Sequence, residues 1–405
     1  MDLLSATGQR ALAAASRERD PDSLGAAERL RREFSPELAA AALTQVTLRR
    51  RAAAKLPHAE GMYLTRDGLE QATRWPVAQW RAGLFRDAGV ETVWDLGCGV
   101  GVDAMALVAA GLGVHAVEAD PRTAAFAEAN LLGELARTGA GPSRAVTVTT
   151  GLAEEVTVPA GAGVFLDPAR RGARGRTWDV SRFSPPWSVV ETHLAGPWST
   201  AVKLGPGLPK ELIPAEVAAT WVSVDGDVVE VSLWNFITPG PRAVVLRQDG
   251  VHTLLPGAEP LPVGEVGEWI HEPDNAVIRA GLVAEALPGA RLLAPGIAYA
   301  TSAAPLSSPF ATDFRVLEVL DHDVATLRRW VKQQRIGSLE IKCRAMDVDP
   351  AALRRQLRPK GEGQATLILA RTRDGARALV VERVPRGERA RGQANPHRPA
   401  GRAGP

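Results

Sequence analysis

Val93-Trp94-Asp95-Leu96-Gly97-Cys98-Gly99-Val100-Gly101-Val102-Asp103 decides how the rest of the chain is read. An apolar run ends in an acid and a turn with three glycines, and a helical pattern begins at once, from Asp103 to Ala110. Strand, glycine turn and helix bring a backbone close to a nucleotide-like ligand, because only glycine takes positive φ and allows close approach without a Cβ clash. The helix then aims its unpaired N–H groups at the ligand. A dinucleotide fingerprint wants a glycine or alanine at position 102, where Val102 stands. The spacing is instead G-x-G-x-G, with Asp95 two residues before the first glycine.

That spacing resembles the first motif of class I S-adenosylmethionine (SAM) methyltransferases. The resemblance implies a cofactor with an ammonium and a sulfonium and no pyrophosphate. A carboxylate at Asp95 attracts that positive charge and would repel a phosphate. The strand Val114–Glu118 ends in an acid about 20 residues after the turn, where a carboxylate accepts both ribose hydroxyls of an adenosine. Glu118 is therefore the ribose candidate. Asp120-Pro121 reads as N-cap and first helical residue of a helix to about Arg137. After the strand Ala145–Thr150 many methyltransferases place an Asp for the adenine amino group. This chain has Gly151-Leu152-Ala153-Glu154-Glu155, which leaves adenine to backbone groups or Glu154. The expected cofactor set is Asp95, Gly97, Cys98, Gly99, Gly101, Glu118, Ala119 and Leu152.

A fourth strand, from Gly163, runs into Asp167-Pro168-Ala169-Arg170-Arg171. Methyltransferases acting on exocyclic amines carry [DN]-P-P-[YFW] here, with the ring stacked on a flipped base. "DPAR" keeps the first two positions and loses the others. Asp167 can still orient or deprotonate a nucleophile. Arg170 offers a planar guanidinium for stacking or for a bidentate phosphate grip. Asp167, Pro168 and Arg170 are the catalytic candidates. Arg170, Arg171, Arg174, Arg176 and Arg182 crowd the next loop, with Trp178, Phe183 and Trp187 interleaved. Arginines among aromatics suit nucleic acid; a solvated arginine loop over an apolar plug is the alternative. A helix starts at about Ser188. A fifth strand, Ala201–Leu204, leads into Gly205-Pro206-Gly207, and its Lys203 is placed to meet a phosphate. Thr220–Val224 and Val228–Trp234 alternate around Asp225-Gly226-Asp227, a closing hairpin.

Working outward, residues 1–90 read as a helical cap. Ser35-Pro36-Glu37 starts a helix to about Lys55, with Leu38, Ala42, Val46 and Arg49 on one side. Thr65 or Asp67 caps another carrying Leu69, Thr73 and Trp80. Arg66, Glu70 and Gln71 face either solvent or the site. Residues 91–238 form the methyltransferase domain, whose alternating strands and helices imply a parallel, Rossmann-like α/β sheet. Residues 240–308 read as a small α+β domain and 312–384 as a second one. The latter's two helices carry Arg328, Arg329, Lys332 and Arg335, and Arg354, Arg355 and Arg358. They make an RNA platform or a solvated charged face. Residues 385–405 read as a disordered basic tail.

The chain of 405 residues is 45% hydrophobic and 23% charged, with a net charge of +2, ordinary for a globular protein. Cys98 and Cys343 have no metal-ligand spacing, so neither a disulfide framework nor a zinc site is expected, and no metal is called for. No apolar run reaches membrane-spanning length and residues 1–30 lack a secretory core. A cytoplasmic protein is expected, with no membrane partner.

The glycine motif, "DPAR", "KLGPGLPKELIP", "WIHEPDNAVIRAG" and "LEIKCRAMDVDPAALRRQL" occur in fixed order. Together they resemble a bacterial family of class I SAM-dependent methyltransferases with a ferredoxin-like insert domain, here 240–308, and a C-terminal THUMP-like domain, here 312–384. The resemblance implies SAM as cofactor and RNA, tRNA or rRNA, as substrate. Methyl transfer would be an in-line displacement in which catalysis is mostly alignment. Two other readings remain at this point: a methyltransferase for a small molecule or protein, and a non-catalytic RNA-binding protein that keeps only the SAM fold.

Overall fold

Residues 3–139, 145–170, 182–344 and 346–384 are described by the computed structural model of the chain. They fall into two units. One holds Met1–Val224, Val228–Gly240 and Leu246–Val251, the other Asp225–Asp227, Pro241–Val245 and His252–Pro405. The arginine-loop positions Arg171, Arg174, Arg176 and Trp178, the side chain of Arg170, and the 385–405 tail lie outside the described residues.

The first unit opens with α1 (Ala6–Ser16), α2 (Leu24–Arg31) and α3 (Pro36–Ala52). Ser5, Ser23 and Ser35 cap them, each side chain accepting a backbone N–H of its own first turn. Their shared core is built largely of alanine: Ala11, Ala15, Ala26, Ala39 and Ala42 are buried together with Leu12, Leu30 and Leu43. Small side chains let helices approach closely but give a weak hydropathy signal, which is why residues 1–33 show no spine in sequence. Thr65 caps α4 (Arg66–Gln71), its Oγ1 accepting from Gly68 N at 2.9 Å. The expected single helix through Leu69, Thr73 and Trp80 is two helices. The backbone is extended at Ala72 and Arg74, and α5 (Trp75–Asp87) begins afresh. Pro76 lacks the N–H that a continuous helix would send to Ala72, so it sits in the first turn of a new helix instead.

Strand and helix then alternate: β1 (Thr92–Leu96), α6 (Val102–Ala109), β2 (Gly113–Glu118), α7 (Pro121–Thr138), β3 (Val146–Thr150) and β4 (Gly163–Leu166). A short ladder follows, β5 (Ala169–Arg170) with β6 (Phe183–Ser184), then α8 (Trp187–Ala195) and β7 (Ser199–Leu204). The closing hairpin is β8 (Ala218–Val224) and β9 (Asp227–Trp234); a second is β10 (Gly240–Arg247) and β11 (Gly250–Leu254). All but β5 and β6 belong to one nine-stranded sheet, in the order β11-β10-β8-β9-β7-β4-β1-β2-β3. β1 pairs in parallel with both β2 and β4, and β7 turns antiparallel only against β9. The chain runs from β1 outward to β3, then crosses back to β4. Such a reversal of strand order opens a crevice beyond the carboxyl ends of the strands. The glycine turn lies at that reversal. The expected fourth strand stops at Leu166, because Pro168 has no N–H for a ladder.

The second unit consists of β12 (Trp269–Pro273), α9 (Asn275–Ala280), α10 (Val283–Ala286), β13 (Arg291–Leu292), β14 (Ala300–Ser302), β15 (Ala311–Asp321), α11 (Val324–Gln333), β16 (Ile336–Arg344), α12 (Pro350–Leu357), β17 (Gly363–Thr372) and β18 (Gly375–Arg383). Its strands form one sheet, β13-β14-β12-β15-β18-β17-β16. The strands of 269–302 and 311–383 thus share a single sheet, joined where β12 pairs antiparallel with β15, while β10 and β11 of the 240–308 stretch belong to the nine-stranded sheet. Leu327, Trp330, Leu353 and Leu357 of α11 and α12 bury one cluster with Leu367 and Leu369. Ile270, Tyr299, Phe314, Ile368 and Leu379 bury another. Alternate residues of β17 enter the two clusters, as the period of a strand covered on both faces requires. No described helix is long and apolar enough to cross a membrane.

Candidate functional site

The turn after β1 takes its shape from Gly97, Gly99 and Gly101, with φ of +96°, +56° and +84°. Gly97 N and Cys98 N both donate to Val117 O, at 2.8 and 3.0 Å, which locks the turn to the end of β2. The glycines differ in what surrounds them. A Cβ at Gly97 or Gly99 would enter open space, whereas one at Gly101 would meet Leu131 Cδ1 at 2.9 Å. Gly97 and Gly99 therefore keep a cradle empty, and Gly101 lets α6 pack on α7.

Beyond the turn lies a pocket of about 550 Å³. Gly97, Cys98 and Gly99 form its floor with Glu118 and Ala119; Leu152 and Glu154 close one end, and Asp167 and Lys203 the other. Gln71, Thr73 and Asp103 are also part of its lining. Glu118 is held rigidly: Oε2 accepts from Gly99 N at 3.0 Å and Oε1 from Asp120 N at 2.9 Å. Each oxygen keeps a lone pair for a further donor. Asp120 caps α7 through Thr123 N, as expected. Leu152 leaves 39% of its surface open, an apolar face where the adenine-binding acid is missing. The Cys98 thiol is pushed well above its usual range by burial, with Asp95 and Glu118 adding to the effect, so it contributes backbone and volume rather than reactivity.

Asp95 does not line the pocket. It is buried, and neither carboxylate oxygen has a hydrogen-bond partner among the described residues. Burial first, then Asp103 and Asp167, hold its pKa well above the ordinary range. A buried, unpaired carboxylate is costly, and a cation brought near relieves it. The pocket itself carries Asp67, Asp103, Glu118, Asp120, Glu154 and Asp167 against Lys203, six acids to one base among the described residues. This environment suits a cationic adenosyl cofactor and disfavours a phosphate.

Asp167 and Lys203 form an ion pair from the ends of neighbouring parallel strands, β4 and β7. Lys203 Nζ also donates to Gln71 O at 3.4 Å. Burial raises the Asp167 pKa against the opposing pull of Lys203. At Lys203 burial works against the charge, and Asp167 together with Asp103 and Glu230 outweighs it, so its pKa is raised too. Pro168 is buried beside Asp167 without lining the pocket. Arg170 contributes backbone to β5. Of Arg66, Glu70 and Gln71, only Gln71 lines the pocket.

Sequence reading missed the group behind the pocket. Arg81 is 2% exposed, donates to Glu230 Oε1 at 2.5 Å and to Asp103 Oδ1, and lies 4.6 Å over the Phe165 ring. Thr73 Oγ1 donates to Asp103 Oδ2 at 2.6 Å. These contacts pin α5 and the segment before it to the sheet. An arginine amid Trp80 and Ala82 carries no local sign of such a role. Among the described residues no group of three or more His, Cys, Asp or Glu side chains is placed to hold a metal ion.

The chain is 30% identical over 356 residues, 84% of its length and 95% of the relative's, to an uncharacterised S-adenosylmethionine-dependent methyltransferase of Mycobacterium tuberculosis, found alike in strains H37Rv and CDC 1551. A crystal structure of a proposed methyltransferase from Porphyromonas gingivalis W83 superposes with a TM-score of 0.70 at 22% identity, covering 93% of this chain and 98% of that one. Residues 311–383 match the THUMP domain-like family, and residues 1–52 match a domain of unknown function, DUF8688.

Proposed function

We propose that this chain, which belongs to the S-adenosylmethionine-dependent methyltransferases, methylates a base in tRNA or rRNA. When bound, the cofactor supplies an electrophilic methyl group on a positively charged sulfur. Everything else is the work of the chain's own side chains and backbone. The open faces of Gly97 and Gly99, with Cys98 between them, would receive the cofactor's amino-acid end, with Gly101 holding the helix behind them. Asp95, buried behind the pocket lining, would supply counter-charge to the cofactor's cationic end. Glu118, already fixed by two backbone donors, would accept the ribose hydroxyls. Ala119 and Leu152 would flank the adenine. Asp167 would position and deprotonate the acceptor, with Pro168 stiffening the backbone beside it and Arg170, in the same segment, assisting. Holding two reactants in register accounts for most of the rate in such a reaction.

The RNA part rests mainly on one observation. Arg328, Arg329, Lys332, Arg335, Arg354, Arg355 and Arg358 are exposed on or beside α11 and α12, and none has a salt-bridge partner among the described residues. Seven exposed cations without a salt bridge on the THUMP-like unit favour a polyanion over a metabolite. Purified protein and labelled SAM should transfer label into one fraction of RNA from a strain lacking the gene. Label confined to metabolites or protein would end the RNA reading.

A further inference from the structure

The geometry points to an acceptor that is the ring nitrogen of a lactam or imide, an N–H beside a C=O, as in guanine N1 or uracil N3, read by Asp167 and Lys203 together. This builds on the base-methylation reading above and narrows its substrate class.

Asp167 and Lys203 stand side by side at the ends of β4 and β7 and both open into the pocket, with 32% and 14% of their side chains exposed. One Asp167 oxygen, Oδ2, is taken by Lys203. Oδ1 has no hydrogen bond among the described residues. Lys203 Nζ has three protons: one goes to Asp167, one to Gln71 O at 3.4 Å, and one is left. The pair thus presents an acceptor and a charged donor next to each other. A lactam edge presents the complement, a donor N–H next to an acceptor oxygen. The amine edge of adenine or cytosine also sets a donor beside an acceptor, a ring nitrogen, but an ammonium at that nitrogen draws the amine's lone pair into the ring and weakens the nucleophile, whereas at a lactam oxygen it stabilises the anion that attacks. A phosphate is disfavoured by the surplus of carboxylates around the pocket.

The chemistry balances with these two side chains. The ring N–H proton passes to Asp167 Oδ1 while the nitrogen's electron pair forms the bond to the methyl carbon. The bond from that carbon to sulfur breaks, and its pair stays on the sulfur, which becomes a neutral thioether. Negative charge that builds on the lactam oxygen as the proton leaves is met by Lys203. Asp167 then loses its proton to solvent.

The test compares modified nucleosides, by mass spectrometry, in RNA from strains with and without the gene, and follows labelled methyl from SAM into RNA and metabolite extracts. A methyl missing from N1 of a guanine or N3 of a uracil supports the inference. A methyl missing from an exocyclic nitrogen, a ring carbon or a ribose hydroxyl overturns it and leaves RNA methylation standing. Label on a lactam nitrogen of a metabolite, with RNA unchanged, keeps the inference and overturns the RNA reading. Label on no lactam anywhere overturns the inference. Lys203→Met should lower kcat roughly 100-fold with SAM affinity within about threefold. Lys203→Arg, which keeps a charged donor and guards against mere misfolding, should recover part of that loss. Equal activity of Lys203→Met and the unaltered protein would also overturn the inference.

Discussion

Asp95 and Asp167 are carboxylates on neighbouring strands in opposite circumstances. Asp167 has Lys203, whereas Asp95 has no partner. Burial raises the Asp167 pKa and Lys203 holds the rise in check. Methyl transfer that needs ionised Asp167 is therefore lost as pH falls through a pKa above the usual aspartate range. In the kcat–pH profile the acid limb should lie higher than for a free carboxylate, and Lys203→Met should move it higher still. A limb that stays put in the variant would remove Asp167 as the base. Asp167→Ala should cost at least about 100-fold in kcat with the fold intact. For Asp95 the linkage concerns stability. Its folded pKa lies well above 3.8, so the folded chain keeps a proton that the unfolded chain releases, and stability falls as pH rises from about 4 toward the folded pKa. Asp95→Asn has no such group. Its melting temperature should gain on that of the unaltered, cofactor-free protein as pH rises, at about 2–4 °C per kcal/mol, while SAM binding weakens. Melting curves that stay parallel across pH would contradict this.

At the scale of elements, α5 is the brace of the pocket. Arg81 fastens it to α6 through Asp103 and to β9 through Glu230, which Ser232 Oγ also meets at 2.6 Å. Trp80, beside it, packs edge-on against Trp234 with centroids 5.6 Å apart. Arg81→Met keeps the apolar stem but leaves two carboxylates unpaired, at a cost of about 3–5 kcal/mol in denaturant unfolding. SAM affinity should fall as well, because Gln71 and Thr73 enter the pocket from the segment that α5 anchors. The glycine turn separates two effects of the same substitution. Gly101→Ala drives a methyl into Leu131 and should destabilise by about 1–3 kcal/mol. Gly97→Ala meets no atom and should lose mainly SAM affinity, apart from its backbone strain. Calorimetric titration alongside thermal melts distinguishes the two.

For the whole molecule, the proposed RNA reading turns on the cations of α11 and α12. Replacing Arg328, Lys332, Arg354 and Arg355 by Glu should weaken RNA binding and flatten its salt dependence, by up to about 0.9 in log–log slope for each phosphate no longer neutralised. SAM binding by the first unit should be unaffected. Unchanged RNA affinity would assign those charges to solvation alone. Much of the architecture was readable from residue order, because strand and helix periodicity, glycine φ and caps such as Asp120-Pro121 are properties of neighbours along the chain. The β1–glycine–α6 unit, the acid ending β2 and the closing β8–β9 hairpin follow from such signals. Other features joined residues that no local pattern links. Lys203 reaches Asp167 across 36 positions and Arg81 reaches Glu230 across 149. Strands from 269–302 and 311–383 complete one sheet, and Asp95 ends up outside the pocket lining. Backbone geometry and capping are set within a few residues, so the sequence alone determined the class of fold and the kind of cofactor. Which charges share a buried space depends on how distant strands pair and what they exclude from water, so only the tertiary structure decided the Asp167–Lys203 ion pair in the pocket wall.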